Sequence, residues 1–169
     1  MDAFGYCVAF VTELEGGLVD DTADPGGKTN FGIASRYHGI DVANMSLEDA
    51  IRIYRSEYWD KCSCEKMPLG LALMMFDGAV NQGKQRVCEW LQIAIGVPAD
   101  GVIGERTIWA MRQSDIERLI RMVAGQRALA YMQAPEPQRK RFANGWRNRL
   151  VRVYLESLLL MRSRPPVML

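Results

Sequence analysis

The order of apolar and polar residues predicts a chain of helices broken once by an irregular, glycine-rich stretch. Phe4, Cys7, Val8 and Val11 fall on one stripe at helical spacing, and Gly16-Gly17 stops that helix. Residues 18–33 are rich in Asp, Gly and Thr and hold Pro25-Gly26-Gly27, so they read as a loop leading into a short hairpin around Thr29 to Ile33. Ser46-x-x-Asp49 has the form of a capping box before a helix carrying Leu47, Ala50, Ile51, Tyr54 and Tyr58. Residues 69–82 are almost wholly apolar and predict a buried central helix ended by Gly83. A second helix over 84–95 ends at Gly96, and Asp100-Gly101 marks a turn. A short helix is expected over Thr107 to Arg112. Ser114-x-x-Glu117 reads as another capping box, opening a helix to about Met132. Pro135 and Pro137 interrupt it, and a last helix is expected from about Gln138 to Arg162.

Composition narrows the class. With 169 residues, 49% of them hydrophobic and 24% charged, the chain can bury a core and is not of disordered type. No apolar run has the length of a membrane span. The start Met1-Asp2-Ala3 lacks a basic n-region, so no cleavable signal peptide is expected. Charge is uneven along the chain: residues 1–68 hold twelve acids against six Lys and Arg, and residues 69–169 hold eight against fifteen. This asymmetry suits an anionic partner for the C-terminal part, or a solvated arginine face. Cys7, Cys62, Cys64 and Cys88 match no zinc spacing, and His38 adds no partner, so free thiols and no metal are expected.

Glu15 is the residue on which chemistry is expected. It projects onto the stripe of Phe4, Val8 and Val11, at the last turn of the first helix. Desolvation and the negative end of the helix dipole both favour a protonated carboxyl there, as a general acid for glycosidic cleavage requires. Asp20, Asp21 and Asp24 come within ten residues of it, and glycosidases of this type set a second carboxylate across the cleft. Each aspartate could equally hold a loop through an Asx-turn. Asp77 and Asn81, four residues apart, share a face of the central helix. They read either as contacts to a sugar amide or as an internal hydrogen-bond network.

These residues carry a resemblance. Glu15, Asp24 and Thr29 have almost the spacing of the Glu, Asp and Thr set of phage lysozymes in the helical lysozyme-like superfamily. A closer likeness is to glycoside hydrolase family 108, N-acetylmuramidases of phages and bacteria. Glu15-Gly16-Gly17-Leu18 and Asp24-Pro25-Gly26-Gly27-Lys28-Thr29-Asn30-Phe31-Gly32-Ile33 resemble that family's first signature, with Leu18 in place of its usual aromatic residue. Ile53-Tyr54-Arg55 through Tyr58-Trp59, and Phe76 through Gly83, resemble the next two. Trp90-Leu91-Gln92, Gly96-Val97, Asp100 through Gly104, and Thr107 look like the family's predicted peptidoglycan-binding segment, although their Gly and Asp residues could serve only the turn. Phe142 and Gly145-Trp146-Arg147-Asn148-Arg149 fit its C-terminal helix.

The resemblance implies a mainly α, lysozyme-like fold with a small β-hairpin beside the catalytic glutamate. One domain is expected over 1–169: a catalytic segment 1–83, a peptidoglycan-binding segment 84–155 within the same fold, and a tail 156–169. It implies cleavage of the bond between N-acetylmuramic acid and N-acetylglucosamine, with Glu15 as acid, Asp24 as leading second carboxylate, and Thr29 orienting water or the loop. Asp20, Asn30, Asp77 and Asn81 are the expected substrate contacts, and no cofactor is needed. The implied partner is peptidoglycan, and the implied role is that of a monomeric phage endolysin. It would be made in the host cytoplasm and act in the periplasm after release. A lytic transglycosylase, and a wall-binding or secretion factor without catalysis, are the rival readings. A nucleic-acid binder draws little support, because only Trp146 and Tyr154 lie among the C-terminal arginines. The last helix, with Leu150, Val151, Val153, Tyr154, Leu158 and Leu159 beside Arg147, Arg149 and Arg152, is expected to pack on the core; contact with an anionic membrane is the alternative.

Overall fold

A computed structural model describes residues 2–15, 19–20, 28–30, 33–34 and 45–162. Helix α1 spans Ala3–Glu15. Three short strands come next, Val19–Asp20 (β1), Lys28–Asn30 (β2) and Ile33–Ala34 (β3). They form an antiparallel sheet in the order β1-β2-β3, with Val19 opposite Thr29 and Asn30 opposite Ile33. Helices α2 (Leu47–Ile53), α3 (Leu69–Gln82), α4 (Lys84–Ile95), α5 (Glu105–Arg112), α6 (Ile116–Gln133) and α7 (Glu136–Arg162) complete the chain. Among the described residues the protein is mainly helical.

Helix α3 is the axis of the molecule, as its apolar composition demands. Residues 70–79 are all buried, and α1, α4, α6 and α7 pack around them. Phe76 sits at the centre of an aromatic cluster, with ring centroids 5.7 Å from Trp59, 5.7 Å from Tyr54 and 6.2 Å from Phe4. Edge-on geometry lets each ring place its positive rim on a neighbour's face. At Gly70 the helices α3 and α7 touch backbone to backbone. A Cβ there would lie 2.2 Å from the Ser157 carbonyl oxygen, so only glycine permits this approach.

The expected capping box before α2 is present. Ser46 accepts from the Asp49 N–H, and the Asp49 side chain accepts from the Ser46 N–H. Beyond α2 the chain departs from a plain helix, for Tyr54–Trp59 is a π-helical turn, in which the Asp60 N–H donates to the Arg55 carbonyl at 2.9 Å. On an α-helix Tyr54 and Trp59 would stand about 140° apart. The wider turn brings both inside and leaves Tyr58 half-buried. Leu47, expected on the apolar stripe, is exposed, because the helix turns its Ala50 side to the core.

Two other expectations are corrected. The cap of α6 is Asp115, which accepts from the Arg118 N–H. Ser114 instead donates to the Ala110 carbonyl and closes α5, so its hydroxyl is committed to the preceding helix. Helix α7 begins at Glu136 rather than Gln138, since a proline at position 137 lies in the first turn, where its missing N–H costs nothing. Helix α4 ends as expected at Gly96, whose φ of 85° belongs to the left-handed region. Val153 and Ser157 of α7 are buried against the core, while Val151 and Leu159 face outward.

The loop after α4 is held by one buried side chain. The Gln92 amide donates to the Asp100 carboxylate (2.7 Å) and the Val102 carbonyl (3.0 Å), and its oxygen accepts from the Gly101 N–H (2.8 Å). Gln92, Asp100 and Gly101 thus clasp a turn, and their role in the signature is structural. Gln92→Leu is expected to cost about 1–3 kcal/mol, because the Gly101 donor and its neighbours lose a buried partner. A lower urea midpoint with an unchanged slope would register this; an unaltered midpoint would contradict it.

Cys7, Cys62, Cys64 and Cys88 are free buried thiols. Burial pushes the Cys7 thiol up to about 12, which keeps it protonated and unreactive.

Candidate active site

Glu15 is the last residue of α1. Helix α1 packs on α3 and on the Tyr54–Trp59 turn, and side chains also tie it to α7. Tyr6 donates to the Glu156 carboxylate, and that bond together with burial pushes the phenol up to about 12. One turn further along α1, the Arg152 guanidinium lies 5.9 Å from the Phe10 ring centroid, and it pairs with Glu13 at 2.7 Å. The two helices therefore run antiparallel, and as α1 advances its partners on α7 step back from 156 to 152.

The sheet starts close by. Only residues 16–18 separate α1 from β1, so Val19 lies at most about 14 Å from Glu15. Register then places Thr29 opposite Val19 and Asp20 opposite Lys28, with Asn30 next in β2. Asp24, Asp21 and the Pro25-Gly26-Gly27 run fall outside the described residues.

Asp77 is placed differently from a sugar contact. Its side chain is fully buried and lies between two arginines. Arg127 of α6 pairs with Oδ2 at 2.5 Å, and Arg149 of α7 pairs with Oδ1 at 2.7 Å. Burial alone would raise the carboxyl, but Arg149 and Arg127 outweigh it and hold Asp77 below the usual carboxylate range. Arg127, itself fully buried, also donates to the Gln82 side chain at 2.7 Å, while Gln82 donates back to the Arg127 carbonyl at 3.1 Å. Asp77 thus belongs to an internal network. Direct sugar contact by Asp77 is corrected on this ground: both oxygens are occupied and no surface is open.

Asn81, one turn on, is at the surface of this network. Its Oδ1 accepts from the Tyr131 hydroxyl at 2.5 Å, and it lines a groove of about 790 Å³. Tyr58, Lys84, Tyr131, Phe142 and Trp146 line the same groove. Lys84 pairs with Glu57 at 2.9 Å on the rim. The Tyr131 and Trp146 rings are stacked, with centroids 4.9 Å apart and planes 10° apart, and Phe142 leans on Trp146 at 5.8 Å. Burial raises the Tyr131 phenol and keeps it a donor at neutral pH. Sequence reasoning missed Tyr131 and Phe142 as site residues. Their only signal is that α6 and α7 each carry an aromatic residue near the ends that meet across the Pro135 turn.

Comparison with known proteins agrees with this arrangement. The family model for glycosyl hydrolase 108 matches residues 8–83, and that for a predicted peptidoglycan domain matches residues 86–151. The solved structure of Brucella abortus SagA is 32% identical, covers 98% of each chain, and superimposes with a TM-score of 0.86. The chain belongs to glycosyl hydrolase family 108. No curated protein matches it. Membership in family 108 makes it a glycoside hydrolase, and the second matched segment ties it to peptidoglycan. Both segments contribute to the groove: Tyr58 and Asn81 come from the glycosyl hydrolase 108 match, and Tyr131, Phe142 and Trp146 from the other.

Proposed function

We propose that this protein is an N-acetylmuramidase, a lysozyme-like enzyme that cleaves peptidoglycan between N-acetylmuramic acid and N-acetylglucosamine. Glu15 is the general acid and protonates the glycosidic oxygen. The observation that supports this reading is the match to glycosyl hydrolase 108 over residues 8–83, in which Glu15 is the last residue of α1 and β1 begins four residues later at Val19. Asp24 is assigned as the second carboxylate, which supports the oxocarbenium-like charge or activates water. Thr29, on the strand paired with β1, orients that water or the loop, and Asp20 and Asn30 contact the sugar from the same strands. The catalytic segment 1–83 and the peptidoglycan-binding segment 84–155 act as one monomeric domain; the expected tail is corrected, because residues 156–162 continue α7 and bury Ser157 against Gly70 of α3.

The test is digestion of purified peptidoglycan by wild type and Glu15→Gln, with mass spectrometry of the fragments. Reducing N-acetylmuramic acid ends from the wild type, absent with the variant, are expected. Anhydro ends would move the assignment to a transglycosylase, and no fragments from folded wild type would leave a binding or secretion role.

The cellular role in this proposal is lysis by a phage endolysin, which reaches the wall through an inner-membrane pore made by another protein. Among the described residues no helix is long and apolar enough to cross a membrane. Expression in a Gram-negative cytoplasm is expected to leave cells intact until a pore-forming protein is co-expressed. Lysis without that protein, read as loss of culture turbidity, would refute the export route.

A further inference from the structure

We infer that the groove walled by Tyr131, Phe142 and Trp146 is a sugar-binding subsite beyond the bond that is cut, where an N-acetylated sugar ring of the same glycan strand stacks against Trp146. This rests on the muramidase reading and extends it to residues of the second segment.

Four observations carry it. The groove has the volume of a small-molecule site, about 790 Å³. Its aromatic wall is rigid: Trp146 is held at 4.9 Å and 10° by Tyr131 and braced by Phe142, so ordering it on binding costs little. Trp146 is only half-buried and lines the groove, which exposes apolar surface to an occupant with an apolar face. A pyranose ring has such a face in its axial C–H bonds.

The fourth observation is polar. Asn81 adjoins the ring stack, for its Oδ1 accepts from the Tyr131 hydroxyl. The edge left to donate is Nδ2, which suits the carbonyl of an N-acetyl group. The same hydroxyl bond fixes the amide to the aromatic wall, so ring and acetyl group are read by one connected unit. Arg86 also lines the groove and brings a positive charge that suits the carboxylate of an adjacent N-acetylmuramic acid, whereas Lys84 is paired with Glu57.

The probe is the peptide-free tetrasaccharide of alternating N-acetylglucosamine and N-acetylmuramic acid, titrated into the full chain carrying Glu15→Gln. Calorimetry is expected to show affinity falling about tenfold when Trp146→Ala is added, as loss of one aromatic contact implies. Trp146→Phe is expected to restore most of it, and Asn81→Leu to weaken binding to the acetylated sugar while leaving the melting temperature near that of the parent. Equal affinity with and without Trp146 would overturn the proposal. Should Trp146→Ala fail to fold, tryptophan emission decides: the tetrasaccharide is expected to shift it in the parent and not in Trp146→Phe, and a shift that persists overturns the subsite. The two readings separate cleanly. Cleavage that depends on Glu15 with binding indifferent to Trp146 removes the subsite alone. Binding that depends on Trp146 in a protein whose Glu15→Gln variant still cleaves removes the assigned acid alone.

Discussion

Glu15→Gln is expected to slow release of reducing ends from peptidoglycan by a factor of about 10² to 10⁴, the usual contribution of a positioned general acid. The substitution keeps the shape and hydrogen-bonding reach of the side chain and removes only its proton. The melting temperature should therefore change little, which separates lost chemistry from lost structure. The pH profile gives an independent check. A general acid works only while protonated, so wild-type activity must decline as pH rises through the pKa of Glu15. In the Gln variant that limb of the profile should be gone. A variant that cleaves as fast as wild type, with the same alkaline limb, would place the acid elsewhere.

The largest effect on stability is expected at Asp77. Asp77→Asn leaves Arg127, fully buried, and Arg149, nearly so, without their shared counter-ion. Removing one partner from a buried ion pair costs about 3–5 kcal/mol, a large part of the roughly 5–15 kcal/mol that holds a domain of this size together. Acid has a related effect. Because the arginines hold the folded-state carboxyl of Asp77 below its ordinary value, its ionisation stabilises the fold above the unfolded-state pKa. That stability is lost as pH falls through the lowered folded-state value. Chemical denaturation from neutral to acidic pH should show the wild type losing stability on the acid side. The Asn variant should start lower and show a flatter dependence there. Equal denaturant midpoints for the two proteins at neutral pH would refute the role assigned to this triad.

Much of the helical frame was legible in the chain. The apolar run of 69–82, bounded by Gly83, has no other physical solution than a buried helix, and Ser46-x-x-Asp49 announced a cap that formed. Local signals misled where two solutions compete at short range. Ser114 and Asp115 are both good caps, and the choice between them rests on whether Ser114 is needed to close α5. The π turn at Tyr54–Trp59 has no signature beyond a five-residue spacing of two large aromatics, which helical periodicity counts as a mismatch. The site shows the same division. Glu15 and the loop after it stood out through a run of specific residues, and Asn81 through its place on the helix. The partners of Asp77 could not be read, since they come from 50 and 72 residues away on different helices. The aromatic wall was hidden for the same reason, because Tyr131 and Trp146 become neighbours only once α6 and α7 fold back at Pro135.

The position of Asp77 also bears on how such chains can be inherited. Its carboxylate lies in the segment matched to glycosyl hydrolase 108, and both guanidiniums lie in the segment matched to the peptidoglycan domain. A crossover in the gene near codon 84 would trade one half for a relative's, and the hybrid would inherit a buried charge from one parent and its neutralising pair from the other. Only donors that agree at all three positions could exchange halves without stranding a charge. The two segments, though separable as sequence families, are then expected to travel as a single heritable unit.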